Sequence, residues 1–515
     1  MKMRQTLEGA GAALLLLLPY YCKLLLPSNL ALFHHRLPVT HLIGGILADM
    51  LVYSMLATAF LIAVQHLSPP AQRILDAFFA GFMLWTIIDF ANLELIHLQY
   101  RIEFWSRLWL HGAFMILLLS GVLAYLYPRV TQPAVFAIRL VTAGVAFSAV
   151  WIVPQLLHLA LARQPDENSA LAQSRLLAHS DSQRRIVWIL FDELSYHQTF
   201  DHPAQGIELP NFDKMRSASV SFSSLRPAGF YTERIIPSLF IGQQIDDIRS
   251  TIDGHLLYKT ASARRWLDYD QNATLFRVAQ QNGWHTGIDG WFIPYCRTLT
   301  QVVDACSWEP NLMPIEEFGA SEDKSTTANA ALMPSRIRWL FSRTTTPEEA
   351  HIQIYRTIMA HAHTLIGDER IQFVFLHIPV PHGPGIYDRK RHVLRPGGTY
   401  LDRLVLADET LGVLMKEIDA TGNAGHTTVI VSSDHSWRIA LSRHTAVWSD
   451  EEERACGGSF DDRPVLLIHF PNQQTGLDVS ALFPEMFEHD IIEQMLLGKI
   501  VNSNNMNAFT SLQGR

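Results

Sequence analysis

Residues 427–438 read TTVIVSSDHSWR. Five β-branched positions in a row favour a strand buried on both faces. The run then ends in Asp434-His435. A carboxylate beside an imidazole at the end of a buried strand is unfavourable unless the two are paired or hold a cation. We read them as metal ligands. Taken alone, the pair also suits a helix cap or an ordinary loop.

Working outward, three more runs have the texture of buried strands: IVWILF (186–191), IQFVFL (371–376) and PVLLIHF (464–470). Ahead of the 427 strand, YLDRLVLADETLGVLMKEIDATG sets Leu401, Leu404, Leu411, Met415 and Ile418 on one helical face, with Gly422 as a stop. Strands alternating with amphipathic helices predict an α/β domain, its sheet largely parallel and flanked by helices. Three of these strands run out into polar residues of one kind. The first reaches Asp192-Glu193, the second HIPVPHGP with His377 and His382, the third Asp434-His435. Ligands gather outside the carboxyl ends of strands in open α/β sheets. Zinc accepts both carboxylate and imidazole. With 23 histidines in the chain, one His-rich segment means little. The coincidence at three strand ends carries the inference.

A cation needs a reaction. Residues 229–242 read GFYTERIIPSLFIG, with Thr232 ahead of an apolar segment containing Pro237. A threonine hydroxyl becomes a useful nucleophile when its proton is removed or its oxygen meets a metal. Thr232 also fits a helix N-cap. The two readings are compatible, since a helix N-terminus favours an anionic substrate.

The first third of the chain differs. Of 515 residues 48% are hydrophobic and 17% charged, and acids are scarce early on. Apolar runs near 10–26, 42–66, 75–98, 107–127 and 135–160 each approach the roughly 20 residues a membrane helix needs. The first resembles a signal peptide's apolar region, but four further runs make it a span. Residues 1–162 are therefore expected to form about five membrane helices. A polar stalk or linker helix (163–184), a domain over 185–500 and a tail (501–515) follow. Lys2 and Arg4 favour an inside N-terminus, whereas Arg36, Arg101 and Arg107 would then lie outside. Asp89, Asn92, Glu94 and His97 fall in or near the third run, where they would line a headgroup entry or lie at the interface. Cys296 and Cys306, ten positions apart outside the membrane, would form a disulfide or remain two free thiols. The net charge of −8 argues against a nucleic-acid partner, since binding phosphate backbones needs a basic surface.

LPNFDKMRSASVSF (209–222), the helix at 400–418 and TTVIVSSDH together resemble the alkaline phosphatase superfamily in its sulfatase-like branch. The resemblance covers roughly 185–490. Ser436 stands where that branch usually has glycine after Asp-His. Several spans ahead of such a domain look like the membrane-anchored phosphoethanolamine and phosphoglycerol transferases. That likeness implies an N-terminal helical membrane bundle followed by a sulfatase-like α/β domain. It implies a threonine nucleophile five positions before a proline, as Thr232 stands to Pro237. It places the first acidic ligand at Glu193, with Asp192 contributing as in sulfatases that carry two adjacent acids. Asp434 and His435 complete the ligands, with Thr232, around a divalent metal: zinc foremost, with manganese, magnesium or calcium as options. HGP at 382–384 matches a substrate-side segment, so His382 or His377 would be general acid or base. His444, together with Arg438, would contact substrate. No Cys/Ser-x-Pro-x-Arg pattern of true sulfatases is present. The implied activity moves a phospho-headgroup from a phospholipid donor to an envelope glycan or lipid acceptor. The setting would be a bacterial inner membrane with a periplasmic catalytic domain. A hydrolase, or a non-catalytic envelope-assembly protein of the same fold, are the alternatives.

Overall fold

The computed structural model describes residues 2–26, 40–91, 103–162, 184–251, 255–310, 346–443, 448–457 and 461–513. Linker residues 163–183, His444, Asn92, Glu94, His97 and the Asp89 side chain lie outside the described set.

The N-terminal part is helical: α1 (Lys2–Leu25), α2 (Thr40–Val64), α3 (Pro69–Ala91), α4 (Glu103–Leu126), α5 (Pro128–Val145) and α6 (Ala149–Leu161). Four residues join α2 to α3, and Tyr127 alone joins α4 to α5, so both pairs are antiparallel neighbours. Three stretches are long and apolar enough to cross a membrane: Ile43–Val64, Pro69–Ile88 and Pro128–Leu161, the last running through α5 and α6. Five spans were expected. The first and fourth include residues whose side chains lie outside the described set, and α4 shows a shorter apolar stretch, Met115–Leu126. Large apolar side chains such as Trp151 and Val150 point outward, about three-quarters exposed, as suits lipid rather than water.

The second part is built on an eight-stranded sheet. Its strands are β1 (Arg185–Phe191), β2 (Val220–Phe222), β3 (Thr286–Trp291), β4 (Ala305–Glu309), β5 (Phe373–Ile378), β6 (Thr427–Ser433), β7 (Leu466–His469) and β8 (Leu477–Val479). Across the sheet the order is β8-β2-β7-β6-β1-β5-β3-β4. From β6 to β4 all neighbours are parallel, while β7 is antiparallel to both β6 and β2. The mostly parallel sheet flanked by helices is the architecture the sequence predicts.

Alternation along β1 explains the layers. Ile186, Trp188 and Leu190 face one core, whereas Val187, Ile189 and Phe191 face the other. The first core is covered by α8 (Thr232–Ile241), α11 (Phe487–Leu496) and α12 (Ser503–Gln513). The second is covered by α7 (Pro210–Ser217), α9 (Pro347–Gly367) and α10 (Tyr400–Ala420). α10 begins at a capping box, with Thr399 and Asp402 satisfying each other's backbone amides. It buries Leu401, Leu404, Leu411 and Ile418 as the spacing predicts, and ends at Ala420, two residues before Gly422. The expected C-terminal tail instead carries α12, whose Met506 is fully buried in the first core.

Cys296 and Cys306 are bonded, tying the helical turn Tyr295–Thr298 to β4. Replacing both with Ser is expected to lower stability by about 2–3 kcal/mol. The check is the shift in thermal midpoint of the purified protein under non-reducing conditions.

Candidate metal centre

Register brings the polar strand ends together. Phe191 on β1 pairs with Ser433 on β6, so the next residues, Asp192 and Asp434, leave the sheet side by side. Leu190 pairs with His377 on β5. Side chains alternate along a strand, so His377 shares a face with Leu190 and Asp192.

Ligand atoms of Asp192, Asp434 and His435 lie within 4.8 Å of one another, all buried. His435 Nε2 is 3.7 Å from Asp192 Oδ1 and 3.4 Å from Asp434 Oδ2. His377 Nε2 is 3.5 Å from Asp192 Oδ2. Both oxygens of Asp192, Asp434 Oδ2 and His377 Nε2 are buried with no hydrogen-bond partner. Such orphans are unfavourable in a native interior and call for a missing partner.

The tautomers sharpen this. His377 Nδ1 lies 2.9 Å from the Trp291 carbonyl oxygen, so Nδ1 carries the proton and donates it. The Tyr295 hydroxyl sits 2.8 Å from the same nitrogen. His435 Nδ1 likewise lies 2.9 Å from the Ser436 carbonyl oxygen. Each ring therefore turns an Nε2 lone pair toward carboxylates. Burial holds the His377 pKa down to about 4, so the ring is neutral and cannot bridge to Asp192 as an imidazolium. Burial first, then the neighbouring Asp434 charge, pushes the Asp192 carboxyl well above the usual range. Lone pairs and carboxylate oxygens facing one another repel unless a proton or a cation lies between them, and one proton on Asp192 would answer only part of the group of orphaned atoms. Ligands about 2.0–2.1 Å from a tetrahedral ion sit about 3.3 Å apart. The observed separations are close to that, and the residues present fit a divalent cation.

Thr232 is the first residue of α8 and does not cap it; Tyr231 holds the cap position without a side-chain bond. The Thr232 hydroxyl lies 3.4 Å from His435 Nε2 and is buried. Phe230 stacks over the His435 ring, and Ala228 donates its backbone N–H to Glu485 at 2.6 Å, holding the loop that leads into the helix. Gly242 ends α8 in a left-handed conformation at φ 68°, and a Cβ there would meet the His489 ring at 2.6 Å. The helix is thus fixed at both ends, with its positive end at the cluster.

Glu193 is placed differently from the expectation. It adopts a left-handed conformation, φ 71°, which breaks the strand alternation. Its backbone N–H donates to Asp434 Oδ1 at 3.1 Å, while its carboxylate accepts the Arg438 backbone N–H at 2.8 Å. The carboxylate is outside the Asp192–Asp434–His435 group. Arg438 is anchored on Glu193, its Nε 3.5 Å from Oε1. Nearby Glu193, Asp192 and Asp434 raise its pKa despite burial, so it remains a cation. His377 is fully buried among the ligands, away from the general acid–base role given to it as one option. His382 sits half-buried against Trp291, ring centroids 4.9 Å apart, and its Nδ1 is 2.6 Å from the Gly383 carbonyl oxygen. Burial and Arg438 lower its pKa well below the usual value. Arg403 of α10 donates to the Pro381 carbonyl at 2.7 Å, steadying this segment.

Sequence reasoning missed Tyr295 and Trp291, which orient His377, and Arg403. Nothing local marks them. Strand alternation past Phe191 would have favoured Asp192 over Glu193. Removing the Tyr295 hydroxyl (Tyr295→Phe) is expected to weaken metal affinity about tenfold, the lower end of the range for groups that orient a metal-binding histidine. Chelator competition measures it. A second acidic group, His197, Asp201 and Asp461, differs: Arg463 already pairs with both carboxylates.

No protein-family profile matches the chain, and no curated protein does. Solved structures are similar to it. Ps i-CgsB in complex with k-i-k-neocarrahexaose is 15% identical over 63% of this chain and 74% of that one, with a TM-score of 0.41. A 2-O GAG sulfatase is 11% identical over 63% and 72%, TM-score 0.39. A protein in the alkaline phosphatase superfamily from Vibrio parahaemolyticus is 14% identical over 62% and 67%, TM-score 0.36. Similarity at this level leaves the chemistry to the chain's own side chains, and those fit a divalent cation with a hydroxyl beside it.

Proposed function

We propose that the chain is a membrane-anchored, metal-dependent transferase that moves a phospho-headgroup through a phospho-threonine intermediate. The donor is a phospholipid such as phosphatidylethanolamine or phosphatidylglycerol, and the acceptor is an envelope glycan or lipid. The observation that carries this reading is the Thr232 hydroxyl, 3.4 Å from His435 Nε2 at the first turn of α8, beside buried carboxylate oxygens that lack partners. Imidazole and carboxylate together favour zinc or manganese over magnesium or calcium. Asp192, Asp434, His435 and His377 would hold the ion, with Thr232 adjoining. A bound divalent cation would lower the hydroxyl's pKa and offset charge on the phosphoryl oxygens.

The chain's own residues supply the rest. The Thr232 oxygen forms a bond to phosphorus as the phosphorus–oxygen bond to diacylglycerol breaks. The proton lost by the threonine is balanced by one gained by the departing diacylglycerol oxygen. An acceptor hydroxyl then attacks the phospho-threonine, and Thr232 recovers its proton. His382, with Nδ1 bound to Gly383, keeps Nε2 available to take up that proton and return it. Arg438, held cationic, faces the phosphate. The membrane helices keep the protein beside a donor that cannot leave the bilayer. The disulfide supports an extracytoplasmic catalytic domain, since disulfides persist in oxidising compartments.

The test uses the full chain in lipid nanodiscs with headgroup-labelled phospholipid. Label should accumulate on the peptide holding Thr232 and pass to an added envelope acceptor. Free phospho-headgroup released at full rate without acceptor would make the protein a hydrolase of the same chemistry. No label on that peptide under any condition would remove the intermediate.

A further inference from the structure

One end of the helical bundle holds a cavity of about 480 Å³ that plays no part in the chemistry above. Its wall is formed by the start of α1, the turn between α2 and α3, the first turns of α3, the close of α4 and the first turns of α5. At the other end Thr40, opening α2, donates to the Ala160 carbonyl at 3.4 Å near the end of α6. The chain leaves for the catalytic domain from that other end. The cavity therefore opens on the membrane face opposite.

Its charge is uneven. Arg139 pairs with Glu8 and Asp76, and Arg4 donates to Glu8 at 2.7 Å. Three arginines, Arg4, Arg73 and Arg139, thus stand against two carboxylates. Arg73 gives its Nε to the Pro69 carbonyl at 3.2 Å, and no carboxylate among the described residues pairs with it. Gln5, only 2% exposed, lines the cavity with an amide nitrogen that has no hydrogen-bond partner. The N-termini of α1, α3 and α5 all lie at this end, adding three positive dipole ends. A purely structural ion-pair cluster would balance its charge and leave no buried donor unpaired. Surplus cation, an orphaned amide donor and helix N-termini around one void call for an acceptor-rich anion.

We infer that this cavity binds the phosphate group of a membrane phospholipid from the leaflet opposite the catalytic domain's attachment. The depth supports a lipid source, because headgroup phosphates lie where these helices begin. The exposed apolar flanks of α4 and α5, including Val122, Tyr125 and Phe136, provide a path for acyl chains. The bound headgroup would brace the ends of α1, α3 and α5 where the Arg139 cluster joins them, beyond the apolar contacts of Leu15, Phe79 and Ile138 deeper in the bundle. This inference stands independently of the transferase reading.

Native mass spectrometry of the delipidated full-length protein tests it, with phosphatidylglycerol, diacylglycerol and inorganic phosphate as probes. Phosphatidylglycerol should bind, and Arg73→Gln and Gln5→Leu should each raise its dissociation constant about fivefold, near the loss of one charge-assisted or buried hydrogen bond. Arg73→Lys, which keeps the charge, should stay within about twofold of wild type, so that a fall in Arg73→Gln does not reflect misfolding. Because these residues lie in the bundle, the change belongs to the cavity and not to the catalytic centre. Equal affinity in wild type and both variants overturns the inference. So does diacylglycerol binding as tightly as phosphatidylglycerol, or inorganic phosphate binding as tightly as the lipid.

Discussion

Thr232→Ala is expected to reduce headgroup transfer by about four orders of magnitude or more, about 5.5 kcal/mol in the barrier. Bound metal should stay near the wild-type amount. The reason is the division of labour at the cluster. Asp192, Asp434 and His377 supply buried ligand atoms with no hydrogen-bond partner, His435 adds its Nε2, and all four residues remain in the variant. The threonine adds a hydroxyl on the Nε2 side, 3.4 Å from His435 Nε2, whereas the Tyr295 hydroxyl meets His377 at Nδ1. Its removal deletes the atom that forms the new phosphorus bond and leaves the ion's seat. Elemental analysis and steady-state kinetics on the same preparation check both halves. Wild-type turnover in Thr232→Ala would end the covalent mechanism, whereas joint loss of metal and activity would show the hydroxyl to be a required ligand instead.

The second large effect separates two adjacent acids. Asp192→Asn should lose metal affinity by at least about a hundredfold and lose activity with it. Asn keeps the shape of Asp but removes the charge that faces His435 and His377 Nε2 at 3.7 and 3.5 Å. Glu193→Gln should retain its metal, because that carboxylate accepts the Arg438 backbone amide rather than joining the cluster. Its cost should appear in substrate affinity, through the Arg438 guanidinium that Glu193 anchors. Metal content of the two variants, measured side by side, decides the matter. A Glu193→Gln protein that is empty while Asp192→Asn stays loaded would reverse the assignment.

Much of the fold was legible. The β-branched run 427–431 became β6, wholly buried, the 186 run became its parallel neighbour, and the 371 run the next strand, parallel to that one. The helical face at 401–418 faced the core. These readings rest on local periodicity, which survives in any tertiary context that buries one face. What the sequence left open or missed had no local signal. Thr232 suits a cap by composition, yet the chain enters α8 through an extended Tyr231, moving the hydroxyl one position into the helix and toward His435. Tyr295 reaches His377 across 82 positions, and no spacing rule spans that distance.

The sequence by itself determined that strands would end in carboxylates and imidazoles at one edge of an α/β sheet, behind an apolar helical region. That follows because side-chain hydrophobicity and β-branching fix which segments are buried strands, and the sheet's parallel order fixes where their ends gather. Only the tertiary structure decided which end residues face one another. Pairing of Phe191 with Ser433 aligns Asp192 with Asp434, and the left-handed turn at Glu193 swings the next carboxylate to Arg438. A one-residue shift in register reverses every side chain's face, so the choice between two adjacent acids lies in the pairing of strands and not in either strand alone.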